Sequence, residues 1–222
     1  EGAHLSKANL TAANLQGANV ANARLDGANL KGALLTDVDL SRADLRDAVI
    51  SRGSLKLPPD LQVILRKHAL WIDSNGKEGE RAVLKDVVIG DADLANIYLS
   101  GADLRDCQWP NAKLANGWFV LADFRGADLH EADFTRSDLS GADLSGSNLS
   151  GARFHRANLA PLRLRRPDGE ESSTFRAVNL RGADLRNTSF NGAILTEATT
   201  DDTRTDGIDL TGANIKGTSF QS

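Results

Sequence analysis

Histidine, cysteine and carboxylate side chains are the groups of this chain best suited to catalysis or metal binding, and most of them stand apart in the sequence. Asp128, His130 and Glu131 lie close together and are the residue types from which a metal or acid/base site could be built. No Ser/His/Asp order, phosphate-binding glycine loop or metal-ligand spacing is present. Cys107 is the single cysteine, so it cannot form an internal disulfide, and we predict a small buried thiol. The other histidines are His4, His68 and His155.

The element that carries His130 and His155 is a five-residue repeat, which runs without a slip from residue 121 to residue 159. Its large apolar residue, position i, follows an Ala or Ser at position i−2. Two inward positions separated by one outward residue indicate a short extended segment, because side chains alternate across a strand. A helix is excluded, since a step of five residues advances about 500° and would spread the apolar residues round the axis. The residues at position i are Phe124, Leu129, Phe134, Leu139, Leu144, Leu149, Phe154 and Leu159.

The remaining positions, i+1 and i+2, must turn the chain. Several glycines stand at i+2, where a corner requires backbone angles that glycine adopts at low cost. His130 and His155 stand at i+1 and are predicted to face outward on a convex surface. Such a surface lacks the concave pocket that catalysis requires. We therefore predict that the protein is not an enzyme, with no catalytic residue, no metal site and no cofactor.

The tandem A(D/N)LXX pattern resembles the pentapeptide-repeat family over nearly the whole chain. The resemblance implies an all-β fold, a right-handed quadrilateral β-helix with four repeats in each coil and positions i and i−2 inside. The absence of Met and the few aromatic residues suit a thin solenoid core. The repeat register also places all seven phenylalanines at position i, namely Phe119, Phe124, Phe134, Phe154, Phe175, Phe190 and Phe220.

Breaks in the periodicity divide the chain into three blocks of β-helix and two interruptions. The predicted segments are 1–56 (first block), 57–81 (inserted amphipathic helix and turn), 82–165 (second block), 166–173 (bulged loop) and 174–222 (third block). The bulged loop is predicted because eleven residues rather than ten separate Leu164 from Phe175, around Pro167, Asp168 and Gly169. Thr200 and Thr205 replace large apolar residues at position i, so their coil should be the least tightly packed.

The inserted helix is predicted from about Pro59 to Asp73. The prolines and Asp60 suit a helix start, and Asn75 with Gly76 suits its end. The stretch from His68 to Leu84 also resembles a helical interruption found in some bacterial pentapeptide-repeat proteins. The apolar face of the helix comprises Leu61, Ile64, Leu65, His68 and Ile72.

Charge and hydropathy restrict the classes of partner. The formal net charge of −4 is mild and argues against general nucleic-acid affinity. No apolar run approaches a membrane span and no signal peptide is visible, so we expect a cytoplasmic protein without a membrane partner. The chain opens within a repeat and without an initiator Met, which suggests an excerpt of a longer protein.

A second interpretation also comes from the resemblance, because gyrase-binding members of the family are thought to mimic DNA with an acidic surface and to dimerise end to end. Asp103, Asp123 and Asp143 stand twenty residues apart, hence on one face in successive coils about 4.8 Å apart. Arg105 and Arg125 lie beside the first two, however, and local pairing would cancel the field that a phosphate mimic needs. The same Asp/Arg arrangement recurs at Asp44/Arg46 and Asp184/Arg186.

The favoured function is a structural scaffold or protein-protein interaction module, with a protein partner of unknown identity and possible end-to-end self-association. The alternative is a DNA-mimicking binder and inhibitor of DNA gyrase. Tyr98, Trp118 and Val120 are large apolar residues at outward positions and form the candidate patch. We expect the inserted helix to cover this patch as a brace. The competing hypotheses are an exposed partner site at the patch and a free recognition helix.

Overall fold

The computed structural model describes residues 2–35, 38–50, 57–165 and 171–221. They form two compact units, which we treat separately. Unit 1 comprises Glu1–Ala82 with Leu94–Tyr98, and unit 2 comprises Val83–Asp93 with Leu99–Ser222. Besides the repeats, unit 1 contains helix α1 (Pro59–Asp73). Unit 2 contains strands β1 (Leu162–Arg165) and β2 (Glu171–Arg176) and a 3₁₀ helix (Ser219–Gln221).

In both units the repeats are joined by single-residue parallel β-bridges between residues twenty positions apart. His4 pairs with Arg24 in unit 1, and Asp128 pairs with Asn148 in unit 2. Since each repeat has five residues, four repeats complete one coil. Leu129 N–H donates to Asn148 O at 2.8 Å, and Asn148 N–H donates to Ala127 O at 2.9 Å, so each outward residue is bonded to the neighbouring coil.

Position i+2 turns the chain with a positive φ throughout the regular coils of unit 2, as predicted. Gly126 and Gly146 have φ of +68° and +67°, and Asn116 reaches +56° without being glycine. The turn is closed by a hydrogen bond from the N–H at i−2 of the next repeat to the carbonyl at i, for example Ala127 N to Phe124 O at 3.0 Å. The glycines predicted at corners therefore occupy left-handed positions.

The core of unit 2 is a narrow column of side chains from positions i and i−2. Phe134, Phe154 and Phe190 stack along it, with ring centroids 4.8 and 4.9 Å apart. Ala and Ser at i−2 fill the space between the large residues and are buried with them. In the regular coils these side chains are fully buried and fill the interior.

The second interruption differs from the prediction. β1 and β2 pair antiparallel as a hairpin, with Leu162 opposite Arg176 and Arg163 opposite Phe175. The hairpin is a longer insertion than the predicted bulge, because Asp143 now pairs with Asn179, 36 residues away instead of 20. The centre of the predicted loop, residues 166–170, lies outside the described residues, as does the predicted end of the first block at 51–56.

Two phenylalanines that the register placed inside are not in the repeat interior. Phe175 belongs to β2 and is 54% exposed, with the Arg163 guanidinium 5.0 Å from its ring centroid. Phe220 is half-buried in the terminal 3₁₀ helix. Both residues fit the five-residue spacing, so the sequence pattern assigned them to position i. The hairpin and the 3₁₀ helix keep this spacing in the sequence although their backbones leave the coil. The third block therefore resumes after β2, and its last bridge joins Ile194 to Asn214.

The coil of Thr200 and Thr205 is loosely filled, as predicted. An open cavity of about 560 Å³ lies there, and Thr205 is exposed although it stands at position i. Ser219 donates its N–H to Thr200 Oγ1 at 3.1 Å. Small hydroxyl side chains at position i thus leave space that leucine or phenylalanine fills in the other coils.

Candidate interaction surfaces

Asp128 and His130 interact on the outer surface of unit 2. His130 Nδ1 lies 2.8 Å from Asp128 Oδ1, and about 40% of each side chain is exposed. Asn148 Nδ2 in the next coil also donates to Asp128 Oδ1, at 3.0 Å. Glu131 turns away at the corner, where its carboxylate lies over Gly151. The arrangement is a surface ladder that holds adjacent coils together.

His155 takes part in a hydrogen-bond chain that sequence reasoning missed. Its Nε2 lies 2.9 Å from Ser189 Oγ, and Ser189 Oγ donates to Asp209 Oδ2 at 2.8 Å. Hydrogen bonds from Thr211, then from Ser189, lower the pKa of Asp209. The serine proton points to the aspartate, so the order differs from that of a nucleophilic triad, in which histidine accepts it. The interruption separates His155 from Ser189 by 34 positions, and this concealed the pairing in the sequence.

Within the described ranges, no group of three His, Cys, Asp or Glu side chains is placed as metal ligands would be. Also among the described residues, no helix has the length and apolar character that crossing a membrane requires. Cys107 is fully buried at position i−2, and burial raises its thiol pKa to about 12.

Within unit 1, helix α1 buries one of its faces, and this face differs slightly from the predicted one. Leu61, Leu65 and His68 are buried as a set, whereas Ile64 and Ile72 are only half-buried. Ala69 is also buried and was not among the predicted face residues. A longer side chain there could not fit, because a Cβ built on Gly32 would lie only 2.6 Å from Ala69 Cβ. A small residue on each partner allows the close approach.

His68 anchors the helix to the chain that follows it. Its side chain is fully buried, and its Nδ1 accepts a hydrogen bond from the N–H of Ala82 at 3.0 Å. The ring stacks on Trp71, with centroids 5.7 Å apart. These contacts give His68 a structural position between the helix and the segment that ends at Ala82.

Of the three patch residues, Tyr98 belongs to unit 1 and lies beside the helix. Leu65 and Ala69 of the helix line a small cavity of about 20 Å³ together with Tyr98. Lys31 Nζ lies 3.9 Å from the centre of the Tyr98 ring. Burial raises the pKa of Tyr98 and lowers the pKa of Lys31, and the nearby Asp73 carboxylate raises both.

Trp118 and Val120 belong to unit 2. Both side chains are half-buried at outward positions, and Trp118 forms a β-bridge with Asp138 of the next coil. Other apolar residues at outward positions are much more exposed, with Val83 at 59% and Val88 at 66%. Trp118 and Val120 are therefore partly covered.

In the predicted acidic row, Asp103 and Asp123 are paired with arginines two residues later, whereas Asp143 accepts hydrogen bonds from Ser145. Asp103 Oδ2 accepts from Arg105 Nη2 at 2.6 Å, and Asp123 Oδ2 accepts from Arg125 Nη2 at 2.7 Å. The hydrogen bonds that Arg105 donates to Asp103, together with the charge of that carboxylate, raise the pKa of Arg105. The same pairing occurs between Asp44 and Arg46 and between Asp184 and Arg186. Each pair is locally neutral, so these rows do not form a continuous acidic surface.

Comparison with known proteins gives one family. The family model for pentapeptide repeats matches eight copies, at residues 1–25, 13–52, 92–130, 122–160 and 173–199, which together take in more than half of the chain. A search of curated proteins found no match.

Several solved structures are similar. A structure of QnrB1, a plasmid-mediated fluoroquinolone resistance protein, is 18% identical, with 63% of this chain and 70% of that chain covered and a TM-score of 0.34. A pentapeptide repeat protein from the Arabidopsis thaliana thylakoid lumen is 31% identical over 52% of this chain and 62% of its own, with a TM-score of 0.31. HetL of Nostoc sp. strain PCC 7120, involved in heterocyst differentiation regulation, is 23% identical over 98% of this chain and 89% of its own, with a TM-score of 0.26.

Proposed function

The chain belongs to the pentapeptide repeat family, and from this premise we propose that it is a non-enzymatic scaffold or interaction module whose outer faces bind a protein partner. The four-repeat coil supports a right-handed, four-sided β-helix, the architecture that family membership implies. Such a solenoid presents long, regular faces on which a partner can be held.

In the regular coils of unit 2 the interior is filled mainly by Leu, Phe and Ala side chains, while the titratable groups other than the buried Cys107 stand on outward positions. Catalysis requires functional groups that converge in a pocket shielded from water. The outward groups are instead engaged in ladders between coils, such as Asn148 to Asp128. A surface of this kind is suited to recognition.

The candidate patch has different surroundings in the two units. Tyr98 lies against helix α1, which supports the proposal that the helix is a brace rather than a free recognition helix. Trp118 and Val120 remain the proposed partner-contacting residues, because they present apolar area at outward positions of unit 2. Aromatic side chains of this kind dominate the binding energy of many protein interfaces.

Trp118→Ala distinguishes a structural role of this side chain from a binding role. The full chain and the variant are used to capture partners by pull-down, and urea unfolding is measured in parallel. If Trp118 contacts a partner, capture is lost with little change in stability. If the side chain serves only in packing, the free energy of unfolding falls by about 1–3 kcal/mol.

Val88→Ala is the matched control, since Val88 also stands at position i−1 but is 66% exposed. It should change neither stability nor capture. A full-length chain that captures no protein under any condition would contradict the proposed interaction role.

A further inference from the structure

One corner of unit 2 carries two stacked arginines. Arg136 and Arg156 both stand at position i+2, and the bridge between Asp133 and Arg153 places them in adjacent coils. Both side chains are exposed. Their backbones are about 4.8 Å apart, the spacing of neighbouring strands.

This stack is unfavourable for folding in two respects. Arg136 and Arg156 have φ of +59° and +55°, a left-handed conformation that glycine and asparagine adopt more easily. Like charges directly opposite each other in neighbouring strands repel. Two other charged corner residues are followed by glycine in the next coil: the carboxylate of Glu131 lies over Gly151, and that of Glu197 lies over Gly217. At the corner of Arg136, the residue at the same position in the next coil is another arginine, Arg156.

A comparable acidic stack in the same unit is neutralised from within the chain. Asp86 and Asp106 occupy another corner in adjacent coils, and Lys85 Nζ lies 3.8 Å from a carboxylate oxygen of each. One cation between two anions thus relieves the repulsion. For Arg136 and Arg156, no carboxylate of the described residues comes within 4.0 Å of either guanidinium.

The nearest acidic groups by position are already engaged. Asp133 accepts a hydrogen bond from Thr135 N–H at 2.9 Å and lies 3.7 Å from Arg153. Asp138 accepts from Ser140 Oγ at 2.6 Å and from Asn158 Nδ2 at 3.2 Å. The corner therefore keeps a surplus of positive charge.

We propose that Arg136 and Arg156 form a carboxylate-binding corner that holds an acidic segment of a partner protein. This inference rests on the proposed interaction role and assigns it a surface. One carboxylate can accept hydrogen bonds from both guanidinium groups, the inverse of Lys85 between its two aspartates. Two exposed guanidinium groups that no carboxylate of the described residues approaches within 4.0 Å keep their donors available for such a segment.

An acidic protein segment fits this corner better than nucleic acid does. The paired arginines span only two adjacent coils, and the chain as a whole carries a formal charge of −4. A nucleic acid extended along the solenoid would meet acidic residues at other corners, among them Asp86, Asp106 and Glu131. A short peptide with a few carboxylates needs only the local charge.

The test measures binding of a fluorescently labelled hexaglutamate peptide to the full chain by anisotropy at low ionic strength. Arg136→Asn with Arg156→Asn should weaken binding about tenfold, the equivalent of one lost charge-assisted hydrogen bond. The thermal midpoint of this double variant should equal or exceed that of the native chain, because asparagine tolerates a positive φ and the repulsion between the two arginines is removed. Arg156→Gly alone is the second variant, and it should weaken binding by a smaller factor.

The matched control is Arg105→Asn with Arg125→Asn, which removes the same charge from arginines one coil apart that are paired with aspartates. It should leave peptide affinity within about twofold if binding is local rather than a response to net charge. The proposal is overturned if the native chain does not bind the peptide, if the corner variant binds as well as the native chain, or if the control weakens binding equally. Tighter binding of a DNA duplex that is lost in the corner variant would assign the corner to nucleic acid instead.

Capture of a natural partner protein distinguishes the proposed interaction role from the proposed carboxylate-binding corner. If a captured protein is retained by the corner variant, the interaction role stands and the carboxylate-binding corner is wrong for that partner. If no protein is captured while the peptide result holds, the binding corner stands and the interaction role is contradicted.

Discussion

At the scale of single residues, the Asp or Asn at position i−1 acts mainly as a cap for the turn that follows it. Asp138 Oδ1 accepts a hydrogen bond from Ser140 N–H at 3.0 Å, and Asn148 Oδ1 accepts from Ser150 N–H at 3.2 Å. Such side chains satisfy a backbone donor that the turn would otherwise leave unpaired. The frequent acidic residues therefore serve the backbone first, and their charge is not by itself a sign of DNA mimicry.

Arg46→Ala should raise the pKa of Asp44 from about 2 toward its ordinary value of 3.8, because hydrogen bonds from Arg46 are the main cause of the depression. A depressed folded-state pKa means that the pair stabilises the fold above the unfolded-state pKa near 4, and that this contribution is lost as the pH falls through about 2. Carboxyl-carbon NMR titration measures the shift. Asp39, whose pKa is lowered by hydrogen bonds from Ser41, is the internal control and should not move.

Cys107 should not react with a disulfide reagent at about pH 8 while the protein is folded, since the thiolate is the reactive form and burial raises the pKa to about 12. Reaction should become complete in guanidinium chloride. Lys113→Cys provides an exposed thiol at an outward position as a positive control. Rapid modification of native Cys107 would show that this coil opens readily.

At the scale of elements, helix α1 and the β1–β2 hairpin are held by close contacts at glycine. Gly32 faces Ala69 of the helix, and Gly141 faces Leu162 of β1 and the carbonyl of Arg176. Both glycines have a positive φ, so they are corner residues of the coil as well as contact points. The repeat thus uses its own turn residue to admit an added element.

Gly32→Ala should lower the free energy of unfolding more than Gly17→Ala does. Both positions have similar left-handed backbones, and the space next to Gly17 is open. The Gly17 variant should lose about 1 kcal/mol from backbone strain. The Gly32 variant should lose a further 1–3 kcal/mol, roughly, because the new Cβ overlaps Ala69. Urea unfolding measures both, and equal losses would contradict the close helix contact.

Gly141→Ala tests the hairpin in the same way, with Gly146→Ala as its control. A Cβ at Gly141 would lie 3.0 Å from Leu121 Cδ2 and 3.2 Å from Leu162 Cβ, whereas nothing lies within 4 Å of the corresponding position at Gly146. We expect faster amide hydrogen exchange in β1 and β2 for the Gly141 variant alone. Unchanged exchange would show that the hairpin adapts without leaving its contact.

At the scale of the whole molecule, the distribution of charge decides whether the protein could act as a DNA mimic. Opposite charges alternate locally, as in the pairs of Asp103 with Arg105 and of Asp184 with Arg186. A phosphate mimic needs a field of one sign that extends over many coils. Pairing within each coil cancels that field at a distance beyond the pair.

We therefore expect no strong inhibition of DNA gyrase at micromolar protein in a supercoiling assay. Arg105→Asn with Arg125→Asn uncovers the carboxylates of Asp103 and Asp123 and provides a more acidic comparison. Inhibition by the native chain would contradict the argument from charge pairing. Inhibition by the variant alone would support the argument from charge pairing, because the two proteins differ only in whether these aspartates are paired.

Local periodicity was enough to predict much of the architecture. The step of five residues identified the buried positions and the turn positions correctly in the regular coils, because every repeat presents the same residue types to the same surroundings. The apolar spacing and the prolines also indicated a helix close to Pro59–Asp73, the range that α1 occupies. These features depend on neighbours within a few residues.

Contacts between distant residues could not be predicted in this way. The hairpin placed Phe175 outside the coil and changed the pairing distance from 20 to 36, so the partnership of His155 with Ser189 was hidden. The closeness of Gly32 to Ala69 likewise depends on where the helix returns to the coil. A repeat pattern specifies whether each side chain points inward or outward. Which residue lies beside it in the next coil depends on how many residues that coil contains, and an inserted hairpin adds residues to this count.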